Sequence, residues 1–231
     1  MAIYGISDLH LSTGTDKPMD VFGGPWINYH DKIRTHWLET VTDRDTVLIP
    51  GDISWAMTLE EFAPDLDFLN QLPGRKIYLR GNHDYWWTSL SKVRELLSHN
   101  AYAMQNDSVA LEEGIVLAGT RGWICPNDRE FTAHDKKIYE REVHRLALSL
   151  AHAAKQNPRE LWAMTHYMPV NDKHEKNEII ALLAEYQVKK VFYGHLHSYG
   201  HEIKIEGTHW DMEFHLIASD YLQFKPKLLF P

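Results

Sequence analysis

An α/β fold with parallel strand pairing in its first half is what this sequence predicts, and three features predict it. Short apolar runs alternate with longer segments of helical periodicity. The early runs end in polar or glycine-containing turns instead of hairpins. Hydrophobic residues make up 44% of the chain and charged residues 24%, an ordinary globular balance that rules out disorder and fibrous repeats. With 231 residues the chain can bury roughly 70% of its unfolded surface, so one domain spanning 1–231 needs no covalent staples.

The elements follow in order. Residues 2–7 form an apolar run that predicts a strand. Ile33, Trp37, Leu38 and Val41 recur at helical spacing within 28–42. Residues 46–50 predict a buried strand. Within 58–72, Thr58 and Glu61 have capping-box spacing, and Leu59, Phe62, Leu66 and Leu69 mark one helix face. Residues 76–79 predict a strand and 89–97 a helix. Residues 109–111 and 115–118 predict a hairpin turned at Glu112-Glu113-Gly114. Residues 130–156 predict a long helix stopped by Asn157-Pro158. Later strands are expected at 161–165, 191–193, 203–205 and 213–218, with a helix at 176–186. The β-rich stretches 109–118 and 203–218 suggest antiparallel additions. The loop 12–25 is long and directly follows a motif, which makes it a candidate substrate loop.

Composition also narrows function. The lone cysteine, Cys125, excludes an internal disulfide framework and a thiolate zinc finger, and it is expected to be an inert buried thiol. The formal net charge of −8 argues against extended nucleic-acid binding or an anionic membrane surface. No apolar run approaches the ~20 residues that span a bilayer. Residues 1–7 lack a basic start and enter a strand at once, so no signal peptide is expected. A cytoplasmic location fits these features.

Histidines and carboxylates gather where strands end: Asp8-Leu9-His10, Gly51-Asp52, Gly81-Asn82-His83-Asp84, His166, and Gly194-His195-Leu196-His197. Ligands of open α/β sheets bind beyond the carboxyl ends of the strands. Residues i and i+2 of an extended segment point the same way, so Asp8 with His10, and His195 with His197, can each face one centre. Imidazole, carboxylate and amide donors without sulfur suit Mn, Fe, Zn, Co or Ni. Asp8, His10, Asp52, Asn82, His166, His195 and His197 are too many donors for one tetrahedral ion. Two divalent ions with a bridging carboxylate would use them all, leaving net positive charge for a phosphoryl group.

These motifs, in this order, resemble the calcineurin-like metallophosphoesterases, whose signature runs D-x-H, G-D, G-N-H-[DE], H, G-H-x-H. The resemblance implies a four-layer αββα sandwich with two mixed sheets and a dimetal site. It implies that Asp8, His10 and His197 hold one ion, that Asn82, His166 and His195 hold the other, and that Asp52 bridges them. His83 corresponds to the histidine that contacts phosphate or protonates the leaving oxygen, with Asp84 expected to hold its other nitrogen. The implied reaction is hydrolysis of a phosphomonoester or phosphodiester. A metal-bridging hydroxide would attack phosphorus in line with the leaving oxygen, and His83 would assist departure. The expected partner is a small phosphorylated substrate or nucleotide. One departure is Gly51-Asp52-Ile53-Ser54-Trp55, where many members carry a second aspartate at the position of Trp55; this weakens any comparison with protein phosphatases.

Other readings stand beside this one. Arg80 and Arg121 are candidate substrate-binding residues, although an arginine at a strand end is often just solvated; Asp172-Lys173-His174 could also reach substrate. Trp26, Trp55, Tyr85, Trp86, Trp87, Trp123 and Tyr167 could stack a base or wall the site. His36, His99, His144, His152 and His209 are expected to be structural. His30-Asp31 and His134-Asp135 raise a helical HD-type phosphohydrolase as a rival. A nucleotide phosphodiesterase or nuclease, and a non-catalytic scaffold of the same fold, are the other function classes.

Overall fold

A computed structural model describes all of Met1–Pro231. The chain divides into two compact units, Met1–Ala103 with Ile217–Pro231, and Met104–Leu216. The first opens with β1 (Ile3–Gly5) and continues through α1 (Tyr29–Thr40), β2 (Thr46–Pro50), α2 (Leu59–Asn70), β3 (Arg75–Leu79), α3 (Leu90–Leu96) and β4 (Ala101–Ala103). Strands β1 to β4 lie side by side in chain order and all pair in parallel. Every residue of β2 is buried, as befits a central strand of a parallel sheet covered on both faces.

Helix boundaries follow their caps. The Thr58 hydroxyl accepts the Glu61 N–H at 3.2 Å and sets the start of α2. Ser89 caps α3 in the same way. Helix α1 buries Tyr29, Ile33 and Trp37, one stripe at i, i+4 and i+8, in a core shared with Val47, Ile49, Phe62 and Leu69.

The second unit carries β5 (Val109–Ala110), β6 (Ile115–Thr120), α4 (Ala133–Ala154), β7 (Glu160–Thr165), α5 (Glu178–Glu185), β8 (Lys190–Tyr193), β9 (Gly207–His209) and β10 (Met212–Leu216). Strands β6, β7, β8 and β10 are parallel, and β5 and β9 add antiparallel edges. Helix α4 starts at Ala133, three residues inside the expected start, behind Thr132, whose side chain and Asp135 form a reciprocal capping box. The Ser149 hydroxyl of α4 accepts the Gly119 N–H of β6 at 2.9 Å. The chain then returns to the first unit, where β11 (Lys227–Phe230) pairs antiparallel with β1.

The α/β class and two mixed sheets match expectation. The strand expected at 203–205 does not form. Residues Ser198–Ile203 make a short 3-10 helix, and Ile205 is fully buried with its carbonyl accepting the Tyr193 hydroxyl at 2.8 Å. The apolar pattern there marks an anchor instead of a ladder. Strands β4 and β11 went unforeseen because a three-residue run and a terminal run carry little periodicity.

Lys76 of β3 is 4% exposed, and its ammonium donates to the Leu72 carbonyl. Burial pushes its pKa down from 10.5 to about 8. Between those values the unfolded chain holds a proton that the folded chain has shed, so this group's cost fades as pH rises through that window. Lys76→Met is therefore expected to be more stable than the wild type at pH 7. Urea unfolding at pH 7, 9 and 10 checks this, and the gap should narrow as pH rises.

Candidate metal centre

In the first unit the loops after β1 and β2 are zipped together by backbone hydrogen bonds. Asp8 N–H donates to the Gly51 carbonyl, and His10 N–H donates to the Asp52 carbonyl, each at 3.0 Å. The Leu11–Ser54 bridge continues the pairing, and the Tyr29 hydroxyl donates to the His10 carbonyl at 2.7 Å. The Ser219 hydroxyl holds the Asp8 carbonyl at 2.6 Å. Asp8, His10 and Asp52 have φ of 57°, 46° and 50°, the left-handed region that costs a non-glycine residue on the order of 1–3 kcal/mol. The expected extended alternation of Asp8 and His10 is thus replaced by a left-handed turn. The turn still brings their ligand atoms within 4.8 Å of each other.

Asp52 is 1% exposed and divides its oxygens between two tasks. Oδ1 accepts the His83 N–H at 2.8 Å, which ties the third loop, after β3, to the second. Oδ2 lies 3.8 Å from His10 Nε2. That separation is too long for a hydrogen bond. The two atoms would be candidate ligands of one divalent ion. The approach depends on Gly81, since a Cβ there would sit 2.1 Å from Asp52 Oδ1. Asn82 follows in this turn and is half-buried. Arg80 precedes it, half-buried, with its Nε lacking a partner.

Asp84 differs from expectation. Its carboxylate accepts the N–H groups of Ile53, Ser54 and Gly81 at 2.8, 3.2 and 2.8 Å and the indole N–H of Trp86 at 3.0 Å. None of these is His83. Asp84 is fully buried and clamps the second loop to the third. Burial, and then the charge of Asp52, push its carboxyl up against the pull of the three backbone donors.

Sequence reading missed Asp65, a fully buried carboxylate on α2. It accepts the Thr13 N–H at 2.8 Å and the Ser54 hydroxyl, so one side chain braces the loops after β1 and β2. A charge beside Leu66, on the stripe that α2 buries, was the available signal.

The aromatic residues separate by role. Trp86 stacks on Phe62 at 3.6 Å and is fully buried, and Trp87 is 1% exposed, so both fill the core and neither is placed to stack a base. Trp55 behaves differently. It stacks on His10 with centroids 5.0 Å apart and lies 4.4 Å from His83.

In the second unit His166 follows β7 and is fully buried. Its N–H donates to the Arg121 carbonyl at 3.0 Å, and its own carbonyl accepts the Gly194 N–H at 3.1 Å. The segments after β6, β7 and β8 are joined in this way. His195 has φ of 70°. Its ring lies 5.1 Å from His166, and the two offer ligand atoms within 4.8 Å of each other. His197 caps the 3-10 helix, its carbonyl accepting the Gly200 N–H at 2.8 Å.

Arg121 lies 3.6 Å from the buried Glu142 carboxylate and packs over Trp123. Cys125 is 1% exposed, and burial pushes its thiol well above the usual range, as expected of an inert thiol. His174 meets the Ile203 carbonyl at 2.8 Å, and Lys173 reaches the Asn127 carbonyl at 3.4 Å, so these two residues brace loops. Asp135 serves the cap of α4, and none of His30, Asp31, His134 and Asp135 belongs to a cluster of three donors, which leaves the HD-type rival without a ligand set on helices.

Buried carboxylates beside imidazoles call for a cation. Oxygen and nitrogen donors without thiolate fit Mn, Fe, Co or Zn. The residues present therefore fit divalent ions. Asp84→Asn would turn an amide donor toward N–H donors. It is expected to lower the unfolding free energy by about 2–3 kcal/mol in urea melts, because a buried acceptor is exchanged for a clash of donors.

Comparison with known proteins shows the family. The sequence model of the calcineurin-like phosphoesterase family matches residues 1–199. Similar solved structures include a phosphopantetheinyl hydrolase from Mycobacterium tuberculosis, 15% identical with a TM-score of 0.56, covering 100% of this chain and 96% of that one. A protein of unknown function from Aquifex aeolicus is 17% identical with a TM-score of 0.53, covering 98% and 95%. A protein from Thermus thermophilus is 15% identical with a TM-score of 0.53, covering 84% and 81%. At these identities the likeness shows a shared fold. A search of curated proteins finds no match. With the family model matching residues 1–199 of 231, the chain belongs to the calcineurin-like phosphoesterase family.

Proposed function

We propose that this protein is a cytoplasmic, dimetal-dependent hydrolase of small phosphoesters. The observation that carries the reading is that donors gather at strand ends within each unit: Asp8 and His10 offer ligand atoms within 4.8 Å of each other in the first, and His166 and His195 do so in the second. In this reading Asp8, His10 and His197 would hold one divalent ion, Asn82, His166 and His195 would hold the other, and Asp52 would serve both. Two divalent ions, when bound, supply Lewis-acid charge and activate water at neutral pH. Four positive charges against the two of Asp8 and Asp52 leave an excess that favours a phosphoryl dianion.

The chain's own residues do the rest. The Asp52–His83 hydrogen bond fixes the backbone of the third loop. That loop presents the His83 imidazole beside His10, with ring centroids 5.8 Å apart. Protonated His83 donates to the leaving oxygen of the ester. In this reading Arg80, next to Gly81, offers guanidinium N–H groups to phosphoryl oxygens. The family and the phosphopantetheinyl hydrolase neighbour support phosphoester chemistry. The net charge of −8 favours a small substrate over long nucleic acid.

Chelated protein is expected to be inactive on p-nitrophenyl phosphate and on bis-p-nitrophenyl phosphate, with Mn²⁺ restoring turnover of at least one. No hydrolysis with Mn²⁺, Fe²⁺, Co²⁺ or Zn²⁺ across a broad phosphoester panel would overturn the proposal. Two variants separate the roles. Asp52→Asn should lose bound metal and activity together, read by elemental analysis. His83→Ala should keep its metal and lose about 10²–10⁴-fold in rate. Full activity of His83→Ala on an unactivated alkyl ester excludes the acid role.

A further inference from the structure

We infer that Tyr85 is a specificity residue, its half-exposed ring contacting the alcohol part of the substrate and favouring phosphoesters whose alcohol carries a planar aromatic group. The inference rests on the phosphoesterase reading and on His83 as its acid. Residues 85–87 are three consecutive aromatics, and the turn after Gly81 sorts them. Trp86 is fully buried against Phe62 and Trp87 is 1% exposed, while Tyr85 keeps 49% of its surface in solvent. The core takes up two of the three rings and leaves the third outside. Its position is fixed all the same. Asp84 before it and Trp86 after it are both fully buried. The Tyr85 N–H donates to the His83 carbonyl at 2.8 Å, and the Trp87 N–H donates to the Asp84 carbonyl at 3.2 Å.

The tyrosine ring stands edge-on to the His83 imidazole, with centroids 6.2 Å apart and planes at 77°. His83 meets the rings of His10, Trp55 and Tyr85, and of these three Tyr85 is the exposed one. An acid that protonates the leaving oxygen stands on the leaving-group side of phosphorus. The alcohol departs past it, so whatever that alcohol carries meets the accessible surface around His83. An accessible ring on a loop braced by buried neighbours offers a face to a ligand at little cost in freedom. Stacking on such a ring suits any planar group, because every base or aryl group has a π-face. A pentose between the ester oxygen and a base bridges a gap of the same order as that between the two rings.

The test compares the wild type, Tyr85→Phe and Tyr85→Ala, all loaded with Mn²⁺, on 5′-AMP and on methyl riboside 5-phosphate. These two esters share a leaving alcohol and differ in carrying a base or a methoxy group. Metal content is measured for each protein, with kcat and KM where an ester is turned over and affinity by calorimetry where it is not. The wild type is expected to favour 5′-AMP by about 5-fold to 100-fold. Tyr85→Phe keeps that preference. Tyr85→Ala loses it through a higher KM or Kd for 5′-AMP, with the methyl riboside ester and the metal content unchanged. Equal treatment of the two esters by the wild type, or binding of neither, overturns the inference. So does Tyr85→Ala weakening both esters alike or losing metal, since the ring would then act through His83 or the loop. Loss of the preference in Tyr85→Phe also overturns it, because the hydroxyl and not the ring face would be the contact. The two readings fail separately. Base-dependent affinity that vanishes in Tyr85→Ala, without turnover of any ester, sinks the hydrolase and keeps the contact. Turnover of both esters with no preference for the base does the reverse.

Discussion

The Asp52 carboxylate is the point on which the first unit's loop frame depends. It is buried, it receives the His83 N–H on one oxygen, and it faces His10 Nε2 with the other. A carboxylate so placed is stable only if donors or cations surround it. The backbone is arranged to permit that. Left-handed turns at Asp8, His10 and Asp52 fold the first two loops onto one another, and the missing side chain of Gly81 lets the third loop close against Asp52. Each of these conformations is unfavourable alone and is held by hydrogen bonds between neighbouring loops.

Two further buried acids hold this frame. Asp84 gathers three backbone N–H groups and an indole, while Asp65 takes one N–H and one hydroxyl. Neither is among the proposed ligands. Both do what a rigid catalytic platform requires, which is to remove freedom from loops that would otherwise be mobile. A family motif can therefore mix residues with different work: in Gly81-Asn82-His83-Asp84 one position offers space, the last offers acceptors to the chain itself, and the middle two are the ones proposed for chemistry.

The second unit reaches a similar end by other means. His166 is fixed through its own N–H and carbonyl to the segments beside it, and Glu142 sits under Thr120 and Arg121 as a buried acid. Here too the strand ends carry the histidines, and long-range backbone bonds hold the turns.

Much of this was legible in the residues. The alternation of apolar runs and helical stripes carried the α/β class, because burying one face imposes a period on sequence. Thr58, Ser89 and Thr132 marked helix starts because a cap is a local interaction. The candidate donors stood out because their residue types are rare at strand ends and were spaced as a known motif. Tertiary structure alone decided the partner of Asp84, the bracing role of Asp65, the burial of Trp86 and Trp87, the left-handed turns at Asp8 and His10, and the position of Trp55 against two imidazoles. Those depend on which atoms from distant segments come into contact with one another, and no periodicity in a single segment records that.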